Sequence, residues 1–390
     1  MITGDGAYIK KINRSIILSK IIEHKMISRA ELSKITGLNK ATISVQVADL
    51  LNEELINETR LEHNVVGRRP IMLSINKSVG YVLGIDLDYK LIQYTVADLS
   101  GKPVHYESVE FETDNYEEII RLLIKQINTY KSKYSKRRYG LVSVMIGVHG
   151  TVNIDESIFF IPTYQWQDKS LKDDLMDELD LPITIQNNAN LSAYAERVYK
   201  HHESNNLLCI MLSSGIGVGI MIDGKLHKGF HGYAGEMGHM IIAQDGELCR
   251  CGNRGCWEQY ASETSLLARL SSQLDVPKLT YKDVQNLIAK NDPSTIALIE
   301  NFIVDLSTGL NNIINMYNPE TLVLTSEILK MYPDSIEKIK SNFKSTVSKY
   351  GTIEISDLGN KSCSIGACAL GIQRFLEVPN LLLSLEEQQT

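Results

Sequence analysis

Residues 236–258 read EMGHMIIAQDGELCRCGNRGCWE and set His239, Cys249, Cys251 and Cys256 in the spacing H-x9-C-x-C-x4-C. One imidazole and three thiolates are an accepted donor set for a closed, tetrahedral zinc site. Gly252 and Gly255 fall between the last two cysteines, where a knuckle turning two sulfurs onto one ion needs permissive backbone. The competing reading is reduced, buried thiols beside a surface histidine. Three of the chain's six cysteines fall within these eight residues, which favours a structural Zn2+. Glu236 and Glu258 flank the quartet, one at each edge.

Outward from that stretch, the 390 residues suffice for two or three domains with cores of their own. The first residues, MITGDGAYIKK, hold no apolar leader, and no apolar run approaches the roughly 18 residues of a membrane span. Cys209, Cys363 and Cys368 are sparse and sit in apolar contexts, a pattern suited to a reducing cytoplasm. The net charge of −7 is uneven. Residues 1–75 carry eleven Lys/Arg against eight Asp/Glu, while the remainder carries 29 against 39. Any nucleic-acid contact therefore belongs to the head.

In that head, Ile12, Ile16, Ile17 and Ile21 recur at helical spacing up to about His24. Ser28-Arg29-Ala30-Glu31 is a capping box opening a second helix, which Gly37 ends. Asn39 caps a third helix from Lys40 to about Glu53, with Ile43, Val47, Leu50 and Leu51 as its apolar stripe. Its opposite face is expected to offer Lys40, Thr42, Ser44 and Gln46, beside Asn39. Two short helices joined by a glycine turn read as a helix-turn-helix whose second helix enters the major groove. A plain helical bundle with a polar face is the alternative. Residues 55–59 and 70–75 then form a hairpin whose loop ends in Gly67-Arg68-Arg69-Pro70. Arg68 and Arg69 suit a basic wing on phosphates or in a minor groove, or a solvated turn.

Beyond residue 80 the pattern is YVLGIDL, IQYTVADL, a Ser100-Gly101 turn and KPVHYESVEF, then a helix over about 116–134 and LVSVMIGV. LLCIML, VGIMI, an Asp223-Gly224 turn and KLHKGF repeat that order, with TLVLTS at 321–326. Two α/β halves are expected, with any ligand between them. The glycine-rich run Ser213–Gly219 fits either backbone presented to phosphate or tight bending.

ISRAELSKITGLNKATIS, GRRP, Gly235-Glu236-Met237-Gly238-His239 and CRCGNRGCWE together resemble the ROK family of bacterial repressors and sugar kinases, most closely its xylose-repressor branch. The resemblance implies an α/β chain: an N-terminal winged helix-turn-helix followed by a two-lobed, actin-like body with a zinc knuckle, assembled as a homodimer or higher oligomer. It implies domains at 1–77, 78–186 and 187–376, with a tail at 377–390. It also implies that His239, Cys249, Cys251 and Cys256 hold zinc, and that Gly150, Asn187, Asn188, Glu236, His239 and Glu258 surround a sugar. Amides and carboxylates suit that task because each meets several hydroxyls. A histidine on zinc keeps its second nitrogen for a directional hydrogen bond.

Four departures from the family's pattern matter, three of them losses relative to its kinases. Asn188 stands where they carry a general-base aspartate, and an amide cannot take the proton. Asp88 stands at a phosphate-loop glycine, where its charge repels polyphosphate. Thr325-Ser326 replaces a glycine pair on the nucleotide side, and His149 replaces a proline before Gly150. The expectation is a cytoplasmic, sugar-responsive repressor on pseudo-palindromic operator DNA, with xylose as effector by resemblance and no catalytic residue. The rivals are a sugar kinase retaining its head and a zinc-sensing regulator.

Overall fold

The structure is a computed structural model and describes residues 6–60 and 71–385. Arg68 and Arg69 lie outside the described residues.

The head folds as its caps and stripes dictate. Helix Gly6–His24 packs over helices Arg29–Thr36 and Lys40–Asn52, with Ile17, Ile21, Leu32, Ile43, Val47 and Leu50 sealed between them. Glu31 N donates to Ser28 Oγ and Ser28 N donates back to the Glu31 carboxylate, while Gly37 takes φ 72° at the helix end. Thr42 N donates to Asn39 Oδ1 at 2.8 Å. Strands Ile27–Ser28, Ile71–Ile75 and Ile56–Arg60 form an antiparallel sheet with Ile71–Ile75 in the middle.

One outward and one inward assignment are corrected. Gln46 is only 4% exposed, because it lies three residues after Ile43 and one turn before Leu50, on the packed side of its helix. The face that does look out carries Lys40, Ser44 and Val45, with Thr42 half-buried. Ile12 is turned the other way and is exposed.

The body holds two five-stranded sheets of matching topology. In the first, antiparallel strands Gly80–Asp88, Leu91–Asp98 and Pro103–Glu110 are extended by parallel strands Gly140–Val148 and Ile183–Asn187 on the far side of Gly80–Asp88. In the second, Leu207–Met211, Gly217–Ile222 and Lys225–Leu226 form the meander, and Thr321–Thr325 and Thr352–Ile355 add the parallel pair. The repeated meanders of the sequence are therefore two copies of one topology.

Helices Asn188–Tyr199 and Ser362–Leu376 lie packed together between the sheets. The approach is close enough to require glycine. A Cβ on Gly84 would stand 2.0 Å from Ser364 O, and one on Gly366 would stand 1.9 Å from Leu191 O. Helix Ser362–Leu376 thus rests on the first sheet, although sequence order groups it with the second lobe. The segment after it is also packed. Leu381 and Leu383 are buried, Leu383 N donates to Val198 O at 3.0 Å, and Ser19 Oγ donates to Asn380 O at 2.8 Å. Residues 377–385 strap the head to the body. Among the described residues no helix is long and apolar enough to cross a membrane.

Candidate functional site

A cavity of about 770 Å³ opens between the lobes, and Gly150, Asn187, Asn188, Glu236, His239 and Glu258 all line it. Asn187 and Asn188 sit where the parallel strand Ile183–Asn187 runs into its helix, the carboxyl edge at which α/β sheets bind ligands. Asn187 caps that helix by accepting from Asn190 N at 3.1 Å, and its amide donates to Gly150 O at 3.0 Å. A Cβ on Gly150 would stand 2.5 Å from Phe160 O, so the loop there admits only glycine. Asn188 is buried and turns its Nδ2 toward Met211 Sδ at 3.6 Å.

The knuckle supplies the opposite wall. Nδ1 of His239 and the sulfurs of Cys249, Cys251 and Cys256 all lie within 4.8 Å of one another. Cys251 Sγ is 3.7 Å from Cys256 Sγ, and Cys249 Sγ is 3.6 Å from His239 Nδ1. A tetrahedral ion bonded at about 2.3 Å to sulfur and about 2.05 Å to nitrogen requires edges of roughly 3.8 and 3.6 Å. The donor set therefore fits a four-coordinate metal ion. The fold holds it firmly: Cys249 N donates to Asn253 O, Gly255 N to Glu247 O, and Trp257, fully buried, donates to Asp305 O at 3.0 Å. His239 serves both sides of this wall. Its Nδ1 faces the sulfurs, and its Nε2 lies 3.9 Å from Glu236 Oε2, toward the cavity. Burial raises the Glu236 carboxyl above its usual range, with His239 opposing and Glu258 adding to the rise.

The glycine-rich run is explained by packing. A Cβ on Gly219 would stand 2.1 Å from Ala189 O, and one on Gly215 would stand 2.8 Å from Glu258 Oε2. These glycines admit a helix and a carboxylate. Ser326 donates to Glu263 at 2.6 Å and caps helix Glu327–Met331. Glu263, buried, also accepts from Ile328 N and the Tyr281 hydroxyl. Thr325-Ser326 is thus tied into a carboxylate network.

One arrangement escapes sequence reading. His149 Nε2 lies 2.9 Å from Asp86 Oδ1, while its Nδ1 lies 3.2 Å from both Asp88 Oδ1 and Ser214 Oγ. Burial alone would lower the imidazole pKa, but the two carboxylates outweigh it and push the value up to about 9. Burial raises the Asp88 carboxyl above its usual range, and the imidazole, when protonated, bridges the two aspartates and reaches across to Ser214 of the second lobe. The signal was present as two departures, at Asp88 and His149, that are partners in space. The cavity-lining aromatics Phe159 and Tyr233 also passed unmarked.

Comparison with known proteins fits this geometry. The profile of the ROK family matches residues 82–374. The xylose repressor of Bacillus subtilis (strain 168) is 37% identical over 382 residues, covering 96% of this chain and 98% of that protein. A crystal structure of a ROK family transcriptional regulator, a homologue of the E. coli MLC protein, superposes with a TM-score of 0.79 at 24% identity, covering 94% of this chain and 96% of that one. A ROK family glucokinase from Streptomyces griseus, solved with glucose and AMPPNP, has a TM-score of 0.67 at 23% identity and covers 75% of this chain but 99% of its own. By the match over most of its length, the chain belongs to the ROK family.

Proposed function

We propose that this protein is a cytoplasmic, sugar-responsive transcriptional repressor of a carbohydrate-utilisation operon, with xylose as effector. The head is a winged helix-turn-helix, and helix Lys40–Asn52 reads the major groove of operator DNA from its N-terminal turn, where Asn39, Lys40, Thr42 and Ser44 lie. A homodimer would set two such helices on a pseudo-palindrome. The sugar sits among Gly150, Asn187, Asn188, Glu236, His239 and Glu258. Zinc on His239, Cys249, Cys251 and Cys256 is structural, fixing the angle of His239, and a four-ligand closed site leaves no position for chemistry.

The observation that carries this reading is a short bridge from cavity to head. The turn Asn153–Ser157 of the first lobe meets the second-lobe loop where Ile154 N donates to His231 O at 3.1 Å. In that turn Glu156 accepts from Arg374 at 3.0 Å, and three residues on Glu377 accepts from Lys11 of the head at 2.7 Å. By this path a change in lobe arrangement would reach the first head helix. Sugar shifts operator affinity by its differential affinity for the two arrangements. The glucokinase structure covers only 75% of this chain, whereas the Bacillus subtilis repressor covers 96%. The kinase alternative also lacks a carboxylate base at residue 188.

Selection of duplexes from a random pool by the purified chain, followed by elution with a panel of sugars, tests the reading. A pseudo-palindromic site released by xylose is expected. No sequence-specific duplex, or steady sugar phosphorylation with ATP, would overturn it.

A further inference from the structure

The polar lining of the cavity is accounted for by the sugar reading; aromatic rings line it as well. Phe159, on strand Ile158–Ile161 of the first lobe, and Tyr233, in the loop after strand Lys225–Leu226 of the second, both line the cavity. Their rings stack with centroids 5.1 Å apart and planes 25° from parallel. The row continues outward. His231 lies 5.6 Å from Tyr233, and Phe230 lies 4.6 Å from His231 in edge geometry. Phe230, at the outer end, is 87% exposed.

The row is held in place from the first lobe. The Tyr233 hydroxyl donates to Asn153 Oδ1, and Ile154 N donates to His231 O. The cavity also exceeds one sugar ring. At about 770 Å³ it falls in the range of roughly 300–1,000 Å³ of sites that take drug-sized ligands, which are larger than a pentose. A pyranose has apolar C–H faces and a polar hydroxyl rim. Rigid aromatic side chains complement such faces while leaving the rim in water.

We propose that the row from Tyr233 and Phe159 to Phe230 is a second glycosyl subsite, so that the cavity takes disaccharides as well as a single sugar. The proposal rests on the sugar reading of the polar lining. It commits the outer ring, Phe230, to the glycosyl unit linked to the sugar held by Asn188, Glu236 and Glu258. Phe230 reaches the cavity-lining Tyr233 only through His231, and that row of ring contacts selects an extension of the same ligand.

Calorimetry on the full chain decides it, using D-xylose against β-1,4-xylobiose and D-glucose against cellobiose. In at least one pair the disaccharide should bind as tightly as its monosaccharide or tighter. Phe230→Ala should weaken the disaccharide roughly threefold to tenfold, the scale of one aromatic contact, without moving the monosaccharide, and Phe230→Trp should restore it. Disaccharides bound more than tenfold weaker than monosaccharides by the wild-type chain would overturn the subsite and leave the sugar reading intact. Binding of neither would overturn both. A Phe230→Ala chain that changes oligomeric state in sedimentation while disaccharide affinity holds would overturn the subsite in favour of an interface between copies.

Discussion

Arg374 donates to Glu156 at 3.0 Å, near the C-terminal end of the helix that lies between the two sheets. Its guanidinium also donates to Thr184 Oγ1 at 2.7 Å, in the strand that ends at Asn187. Glu377, three residues later, is bound to Lys11 of the head. If the sugar signal reaches the head along this span, Arg374→Ala leaves sugar affinity and operator affinity each within about twofold of wild type. It reduces the change that sugar causes in operator affinity, of the usual order of about 1–3 kcal/mol, by half or more. Anisotropy titrations of a labelled operator with and without sugar measure both quantities.

The knuckle offers a second test. Removing a donor from a closed site removes the binding free energy that the ion contributes to folding. Cys251→Ser, at the exposed sulfur of the four, should lose zinc by elemental analysis and lower Tm by at least about 5 °C. It should also abolish the sugar response, because His239 Nε2 is no longer aimed at the cavity, while the head still binds DNA. A variant without zinc that responds normally to sugar would separate the two sites.

The His149 bridge predicts a pH dependence with a definite sign. The imidazole faces Asp86, Asp88 and Ser214, and Asp86 in turn faces Cys363. Its folded pKa of about 9 lies above the ordinary 6.5. Its contribution to stability is therefore fully present below about pH 6.5 and is lost as pH rises through about 9. His149→Gln should be less stable than wild type at pH 6.5, by up to about 3 kcal/mol. The gap should narrow steadily toward pH 10. Denaturant melts across that range measure it, and a gap independent of pH would remove the charge from the account.

In the head, Lys40 and Gln46 should part company. Lys40→Ala is expected to weaken operator binding and to flatten the salt dependence by about one unit of slope. Gln46→Ala should lower the melting temperature of the head and leave base preference unchanged, since its side chain is buried, as are Ile43, Val47 and Leu50 of the same helix. Binding curves at several salt concentrations, paired with thermal melts, distinguish the two.

The knuckle was legible in the sequence because a tetrahedral ion constrains the spacing of its donors, so four residues within eighteen positions carry the geometry. The head's caps were equally local: Ser28, Gly37 and Asn39 each act on their own backbone. Gln46 was misplaced because a run of alternate polar residues follows a period of two, whereas the helix turns every 3.6 residues. The link between His149 and Asp86 was hidden by 63 residues of chain; it arises only when strand Gly80–Asp88 pairs in parallel with Gly140–Val148, setting Asp86 beside Gly147. The destination of helix Ser362–Leu376 was hidden likewise, since an apolar helix carries no mark of which sheet it will cover.

The central claim is that one cavity and one head are energetically coupled, and linkage requires the coupling to be reciprocal. The direct measurement is sugar affinity of the full chain by calorimetry, with and without saturating operator duplex, set against operator affinity with and without saturating sugar. The two ratios should agree and should exceed fivefold, with no phosphorylated sugar formed when ATP is added. Ratios of one, or ATP-dependent turnover of the sugar, would contradict the account.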